Sequence, residues 1–236
     1  MPSIAVQAHR GSPDPPAGIA ENTLAAFARA RRLGADGVEL DVRRTADGAL
    51  AVHHDPVVEG SGAIHELPAA ALPSRVPLLE AALEECRGMT VNVEVKNLPG
   101  EPAFDPDERC ATAVGELITR MGLEGSVVVS SFWPGSLEVL HASHPAIPTG
   151  LLLSRSLGAE GAVGMVAAAT RLACAALHPH ADLVDPGLAG EAHAAGLAVA
   201  VWTVNDRSHL EAARGAGVDT VITDDVPLAL EVLSAP

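Results

Sequence analysis

The stretch that decides the fold is VELDVRRTADGALAVHH, residues 38–54. Two β-strand-like runs, Val38–Val42 and Leu50–His54, are separated by a segment too short to hold a crossover helix, since such a connection takes roughly a dozen residues. Asp47 and Gly48 have the composition of a two-residue hairpin turn. We therefore expect the second run to return antiparallel to the first, as an addition to the main sheet.

Elsewhere, β-branched runs alternate with alanine-rich segments of helical length, which predicts parallel strands joined by crossover helices. Seven more strands are expected at Ile4–Ala8, Val91–Lys96, Val127–Ser131, Thr149–Leu153, Ala175–His178, Leu197–Thr203 and Val218–Thr223. Helices are expected at Asn22–Leu33, Leu78–Arg87, Pro106–Met121, Pro134–Ala142, Gly161–Leu172, Pro186–Ala195, Ser208–Ala216 and Val226–Leu233. With the first run, eight parallel strands predict an α/β fold, a (β/α)8 TIM barrel with a hairpin over about 38–54 and a short insertion over about 55–77. We expect a single catalytic domain over residues 1–236.

Composition excludes several classes of protein. The 30 acidic residues against 15 basic ones give a formal charge of -15, which argues against nucleic acid as a partner. No apolar stretch reaches the roughly 20 residues of a bilayer span, and the N-terminus lacks a signal-peptide pattern. We therefore expect a cytoplasmic protein without stable membrane insertion. Cys86, Cys110 and Cys174 are widely spaced, so neither a disulfide framework nor a thiolate zinc site is expected.

Acidic and imidazole side chains recur at the ends of the expected strands. Glu39 and Asp41 share one face of their strand, as do Glu94 and Lys96 of theirs, because side chains two apart point the same way. The carboxyl ends of barrel strands form the active-site rim. Three carboxylates without a thiolate favour a hard divalent cation, Mg²⁺ or Ca²⁺.

Two histidines are expected to join this group. His9 follows the first strand. A two-residue turn at residues 47–48 pairs residues whose numbers sum to 95, which places His54 opposite Asp41 and turns His53 away. Imidazoles transfer protons near neutral pH, and Arg10 with Lys96 can balance an anionic ligand. Such a set suits phosphoester chemistry better than acyl transfer.

The order and spacing of short motifs along nearly the whole chain are highly specific. They include His9-Arg10-Gly11, Glu21-Asn22-Thr23, Glu39-Leu40-Asp41-Val42, His54-Asp55, Asn92-Val93-Glu94-Val95-Lys96, Ser130-Ser131-Phe132, Trp202-Thr203-Val204-Asn205 and Thr223-Asp224. In these motifs the chain resembles the glycerophosphodiester phosphodiesterases. The resemblance implies a TIM barrel that hydrolyses a glycerophosphodiester to sn-glycerol 3-phosphate and an alcohol through a cyclic phosphate.

The resemblance also implies roles for individual residues. His9 and His54 would be the acid and base, and Glu39, Asp41 and Glu94 would hold the metal, with Glu21 near that site and Asn22 supporting the rim. Arg10 and Lys96 would bind phosphate, and Trp202 would line the glycerol pocket. The segment after Asp55 is shorter than is usual in the family. Asp224 and Asp225 are expected to cap the last helix.

Two alternatives stay open at this point. One is a phospholipase D-like enzyme that stops at a cyclic phosphate; its relatives are secreted and disulfide-bonded, unlike the expectation for this chain. The other is a barrel that binds glycerophosphate esters without hydrolysing them, which would need neither histidine. The sequence leaves undecided which alcohol is released, which of the two cations is used, and the oligomeric state.

Overall fold

The computed structural model describes residues 3–234, with the side chains of that range except those at 159, 160 and 163. The strands are β1 Ala5–Ala8, β2 Gly37–Arg44, β3 Leu50–Val52, β4 Val57–Val58, β5 Gly62–Ala63, β6 Thr90–Val95, β7 Val127–Ser131, β8 Thr149–Leu153, β9 Ala176–Pro179, β10 Ala198–Val201 and β11 Thr220–Thr223. The α-helices are α1 Leu24–Leu33, α2 Leu79–Glu85, α3 Arg109–Met121, α4 Pro134–Ser143, α5 Gly158–Arg171, α6 Pro186–Ala194, α7 Arg207–Ala216 and α8 Val226–Leu233.

Eight parallel strands close into a barrel. Around it the order is β1, β11, β10, β9, β8, β7, β6 and β2, and the pairing of β1 with β2 completes the ring. A helix follows each barrel strand, except that β3, β4 and β5 precede the helix after β2. This arrangement confirms the (β/α)8 TIM barrel, with β3 added antiparallel to β2.

The main hydrophobic core lies between the barrel and its helices. Val38, Leu40 and Val42 of β2 are fully buried in it, together with the alternate residues of the other barrel strands. Glu39 and Asp41 occupy the intervening positions and therefore face the barrel interior. The strand alternation thus separates an apolar outer face from a polar inner face.

The first helix begins later than predicted for a reason connected with that inner face. Asn22 has a φ of 54° and stands outside the helix, while Thr23 caps the helix by accepting a hydrogen bond from the amide of Ala26 at 3.2 Å. At the other end Gly34 takes the left-handed conformation, which often closes a helix and which glycine adopts without strain.

The hairpin differs from the prediction by one residue. β2 and β3 pair Val42 with Val52 and Arg44 with Leu50, so partner numbers sum to 94 rather than 95. The loop has three residues, 46–48, closed by a 2.9 Å hydrogen bond from the amide of Thr45 to the carbonyl of Ala49. Gly48, with a φ of 89°, supplies the left-handed position that such loops need. The prediction of a two-residue turn was wrong.

The corrected register places His53, not His54, opposite Asp41. The amide of His53 donates to the carbonyl of Asp41 at 3.0 Å. However, β3 ends at Val52, so strand alternation no longer fixes where the next side chains point. His54 reaches the site from the bend that follows.

The insertion packs on the hairpin through a second, small apolar cluster of Ala51, Val58, Ile64 and Val76. The three cysteines are free and buried. Within residues 3–234, no helix combines the length and the apolar character that crossing a membrane requires.

Candidate active site

Three carboxylates meet inside the barrel mouth. Asp41 of β2 lies in register with Glu94 of β6, and Glu39 lies in register with Asn92. One oxygen from each of Glu39, Asp41 and Glu94 lies within 4.8 Å of the others, and all three side chains are buried. The register of two neighbouring strands therefore builds an acidic trio.

Burial and mutual repulsion set the charge state of this trio. Burial, with the charge of Asp41 added, raises the pKa of Glu39 to about 8. Burial also raises the pKa of Glu94. Burial would raise the pKa of Asp41 as well, but the charges of Lys96 and Arg10 outweigh it and the pKa is lowered. The Lys96 Nζ lies 3.0 Å from an Asp41 oxygen.

A divalent cation fits this donor set. Glu39 Oε1 is buried and has no hydrogen-bond partner within the described part of the chain, which leaves an oxygen lone pair unused. Three carboxylates at the measured separation supply the hard oxygen ligands that Mg²⁺ and Ca²⁺ prefer. A cation would also relieve the repulsion that raises the pKa of Glu39.

His9 is held in place by a side chain from the last strand's end. Its Nδ1 lies 2.7 Å from Asp224 Oδ1, and its Nε2 lies 3.9 Å from Glu39 Oε2. Burial alone would lower the pKa of His9, but the Asp224 hydrogen bond and the charge of Glu39 outweigh it and raise the pKa. Asn205 in turn binds Asp224, through its side-chain amide and through a 2.8 Å bond from the Asp224 backbone amide.

The expected role of Asp224 as a helix cap was therefore wrong. Asp225 alone caps α8, accepting from the amide of Leu228 at 3.0 Å, because it directly precedes the first helical residue. Asp224 directly follows β11, faces the mouth and orients His9 instead. The Thr223-Asp224 motif was a signal for a site residue at position 224. Because two aspartates directly before a helix are also typical of a helix cap, the sequence was interpreted as a cap instead.

His54 lies at the edge of the same mouth, with about a third of its side chain exposed. Burial and the charges of Lys96 and Arg10 lower its pKa, against the opposing charge of Asp41. Its Nδ1 lies 2.7 Å from Asp55 Oδ1. His53 Nδ1 instead contacts the backbone carbonyl of Asp55 at 3.0 Å.

The segment after β1 contacts the acidic trio through Arg10 and Asn22. The backbone amide of Arg10 donates to Glu39 at 2.9 Å, and its guanidinium contacts Glu21 at 2.9 Å and Asp41 at 3.3 Å. Asn22 donates to Asp41 at 2.8 Å. Arg10 and Asn22 both have a positive φ, 52° and 54°, a strained conformation for residues other than glycine that is common at functional sites.

An aromatic wall completes the mouth. Trp202, just after β10, donates from Nε1 to the carbonyl of His178 at 2.8 Å. Its ring meets Phe132 and His180 edge-on, with centroids 5.4 and 5.2 Å apart. The structure therefore brings every expected site residue to the same end of the barrel.

Comparison with known proteins agrees with this site. The model of the glycerophosphoryl diester phosphodiesterase family matches residues 9–228. The chain belongs to this family. A glycerophosphodiester phosphodiesterase of Caldanaerobacter subterraneus subsp. tengcongensis is 32% identical over 93% of both chains. The family is one of enzymes, phosphodiester hydrolases.

Solved structures extend the comparison to three dimensions. A phosphodiesterase of Oleispira antarctica, in complex with the product sn-glycerol-3-phosphate, is 28% identical, with a TM-score of 0.82 over 99% of this chain and 98% of that one. A glycerophosphodiester phosphodiesterase of Parabacteroides distasonis has a TM-score of 0.84 at 24% identity, covering 98% and 97% of the two chains, which supports the fold alone.

Proposed function

We propose that this family member hydrolyses glycerophosphodiesters to sn-glycerol 3-phosphate and an alcohol, using one divalent cation, Mg²⁺ or Ca²⁺, held by Glu39, Asp41 and Glu94. The observation that carries the proposal is the buried acidic trio bordered by His9 and His54. The Oleispira relative, which binds sn-glycerol-3-phosphate, supports the same product. We further propose that the chain acts as one catalytic domain on a small molecule in the cytoplasm.

The cation, when bound, would stabilise the negative charge that develops on the phosphoryl oxygens. The chain's own residues would bind and orient the ester. Arg10 and Lys96 already lie beside the trio and can turn their donors to phosphate oxygens. Glu21 would steer the Arg10 guanidinium, and Asn22 would hold Asp41 in place.

The two histidines would move the protons. One takes the proton from the glycerol 2-hydroxyl, whose oxygen forms a bond to phosphorus. The other gives a proton to the leaving alcohol as its bond to phosphorus breaks, leaving a cyclic phosphate. Water then opens the ring, with the two roles reversed. Asp224 fixes His9 through Nδ1, so that Nε2 faces the site.

The aromatic wall would bind the carbon face of the glycerol. Trp202 is fixed by its hydrogen bond to the His178 carbonyl and by the edge contact with Phe132. An immobilised ring offers apolar surface at little cost in side-chain entropy. Its place beside the polar set suits a small polyol with one apolar side.

The test is to incubate the protein with glycerophosphocholine, glycerophosphoethanolamine and glycerophosphoglycerol, with and without EDTA. We expect release of glycerol 3-phosphate that EDTA abolishes and that Mg²⁺ or Ca²⁺ restores. Release that ignores the chelator would remove the metal from the mechanism. Tight binding without release would favour a binding barrel, and a cyclic phosphate as sole product would favour a phospholipase D-like enzyme.

A further inference from the structure

A cleft of about 400 Å³ opens beside the proposed site. One wall is the insertion, through Pro56, Ile64 and His65, and the other is the loop between β6 and α3. The cleft meets the acidic site at Lys96. Its size suits the polar end of a small ligand. A substrate whose phosphate lies on Lys96 can therefore extend one of its two ester groups into this space.

The cleft is rich in cations although the chain carries a charge of -15. Arg43, Arg44 and Arg109 line it together with Lys96. Three of these four are already engaged by carboxylates. Arg43 binds Glu101 at 2.7 Å and Arg109 binds Asp105 at 2.7 Å, while Lys96 binds two members of the acidic trio.

Arg44 is the exception. Among residues 3–234, no carboxylate lies within ion-pair distance of its guanidinium and no hydrogen bond engages it, while the side chain is only partly exposed. An arginine fork without an acceptor in a half-enclosed cleft is a ready partner for a planar or tetrahedral anion. His65 adds a second unused group to the same wall, because its Nδ1 is buried and has no hydrogen-bond partner in the described structure.

The acidic side chains of the cleft do not cancel this cation. Asp105 is occupied by both Nε and an Nη of Arg109, at 2.7 and 3.1 Å. Asp107 is exposed at the outer edge, and its charge acts on the same Arg109. The part of the cleft lined by Arg44, beside the hairpin loop at Gly48, therefore presents this cation without a carboxylate in ion-pair contact.

We propose that this cleft is the subsite for the leaving alcohol, that it selects alcohols carrying an anionic group, a carboxylate or a phosphate, and that Arg44 is the residue that determines this preference. The inference rests on the proposed hydrolysis and adds the substrate class. Elsewhere the acidic surface repels anions over a range set by ionic screening. We therefore expect Arg44 to change the preference between anionic and neutral leaving alcohols more than the affinity for glycerophosphodiesters in general.

The test compares substrates that differ by one charged group. Glycerophosphoserine carries a carboxylate that glycerophosphoethanolamine lacks, and glycerophosphoglycerol phosphate carries a terminal phosphate that glycerophosphoglycerol lacks. For the wild-type protein we expect kcat/KM to favour the anionic member of at least one pair by about tenfold, mainly through KM. The pair that shows the preference distinguishes carboxylate from phosphate.

Replacing Arg44 separates this subsite from a general effect of charge. In Arg44→Gln the ratio within the preferred pair should fall about tenfold, and Arg44→Lys should keep part of it. Arg87→Gln is the matched control, since it removes one exposed positive charge on the Glu84 pair, and its ratio should equal that of wild type. Circular dichroism melting establishes that each variant is folded.

Equal hydrolysis of both members of both pairs by wild type would overturn the inference, as would an unchanged ratio in Arg44→Gln. If Arg44→Gln does not fold, the wild-type ratio and that of Arg44→Lys decide. Absence of glycerol 3-phosphate from every ester would overturn the proposed function instead, so the two failures can be told apart.

Discussion

The two faces of strand β2 are opposite in character although their residues alternate along one backbone. Val38, Leu40 and Val42 are fully buried against the helices. Glu39 and Asp41 are almost as buried, but they carry carboxylates that repel each other. The outer face stabilises the fold, whereas the inner face holds desolvated carboxyl groups that Arg10 and Lys96 compensate only in part. The residues that stabilise the fold and those of the proposed metal site thus alternate within five consecutive residues.

The largest expected effect of a substitution is at His54, which lies beside the inner face, next to His53. His54→Ala should lower kcat/KM for glycerophosphodiester hydrolysis by about 10²- to 10⁴-fold, the usual contribution of a general acid or base. His53→Ala is the matched control, because His53 contacts only a backbone carbonyl through its ring, and its activity should remain near wild type. A large loss at His53 with little loss at His54 would reverse the assignment.

Neighbouring substitutions on β2 should affect different properties. Leu40→Ala removes outer-face packing and should lower the free energy of unfolding by about 2–5 kcal/mol, while EDTA-sensitive activity persists at low temperature. Glu39→Gln should abolish that activity and leave the metal-free protein as stable as wild type or more stable, since a neutral amide replaces a buried carboxyl that must either take up a proton or repel Asp41. Chemical denaturation in EDTA measures both. A strongly destabilised Glu39→Gln would mean that the carboxylate supports the fold.

The inner face should also give the metal-free protein a distinctive pH dependence. Because the pKa of Glu39 rises from 4.5 to about 8 on folding, the folded state binds the extra proton between these values. The contribution of Glu39 to the free energy of unfolding is therefore fully present below pH 4.5 and is lost as pH rises through 8. The free energy of unfolding should fall over this range with a slope of up to about 1.4 kcal/mol per pH unit. Glu39→Gln should lose this slope. Identical slopes in EDTA-treated wild type and variant would exclude Glu39 as its source.

A substitution of Asp224 tests how far the activity depends on the hydrogen bond that orients His9. Asp224→Asn should lower kcat/KM about tenfold and move the limb of the pH profile that belongs to His9 to lower pH, because the groups that raise the pKa of His9 are weakened. Asp225→Asn, at the adjacent cap, should change thermal stability but not the profile. A profile unmoved in Asp224→Asn would leave Asp224 a purely structural role.

The outer face was predictable because periodicity reports burial directly. The eight barrel strands, the eight helices and the acidic trio follow from local pattern, since alternation along β2 and β6 is strict and parallel register brings their carboxyl ends together. The helix starts at Leu24 and Arg109 were missed, because Asn22 and Glu108 adopt left-handed conformations that local sequence does not specify. The contacts of Asp224 with His9 and Asn205 join segments distant in sequence, which no spacing argument reaches.

The hairpin has a three-residue loop where a two-residue turn was predicted, and Gly48 offers the finest test of that loop. A three-residue loop requires a left-handed residue at position 48, where Gly48 has a φ of 89°. Gly48→Ala should therefore cost about 1 kcal/mol of stability, and its added methyl also lies 3.1 Å from the Arg44 guanidinium, a flexible group that can move. Gly48→Asn should cost less, because asparagine tolerates this conformation. Thermal melting ranks the three proteins. If alanine and asparagine are equally tolerated, the loop has relaxed to another turn. The kcat/KM of the two variants then shows whether the position of His54 depends on the hairpin register. An unchanged kcat/KM would mean that it does not, because His54 lies beyond the end of β3.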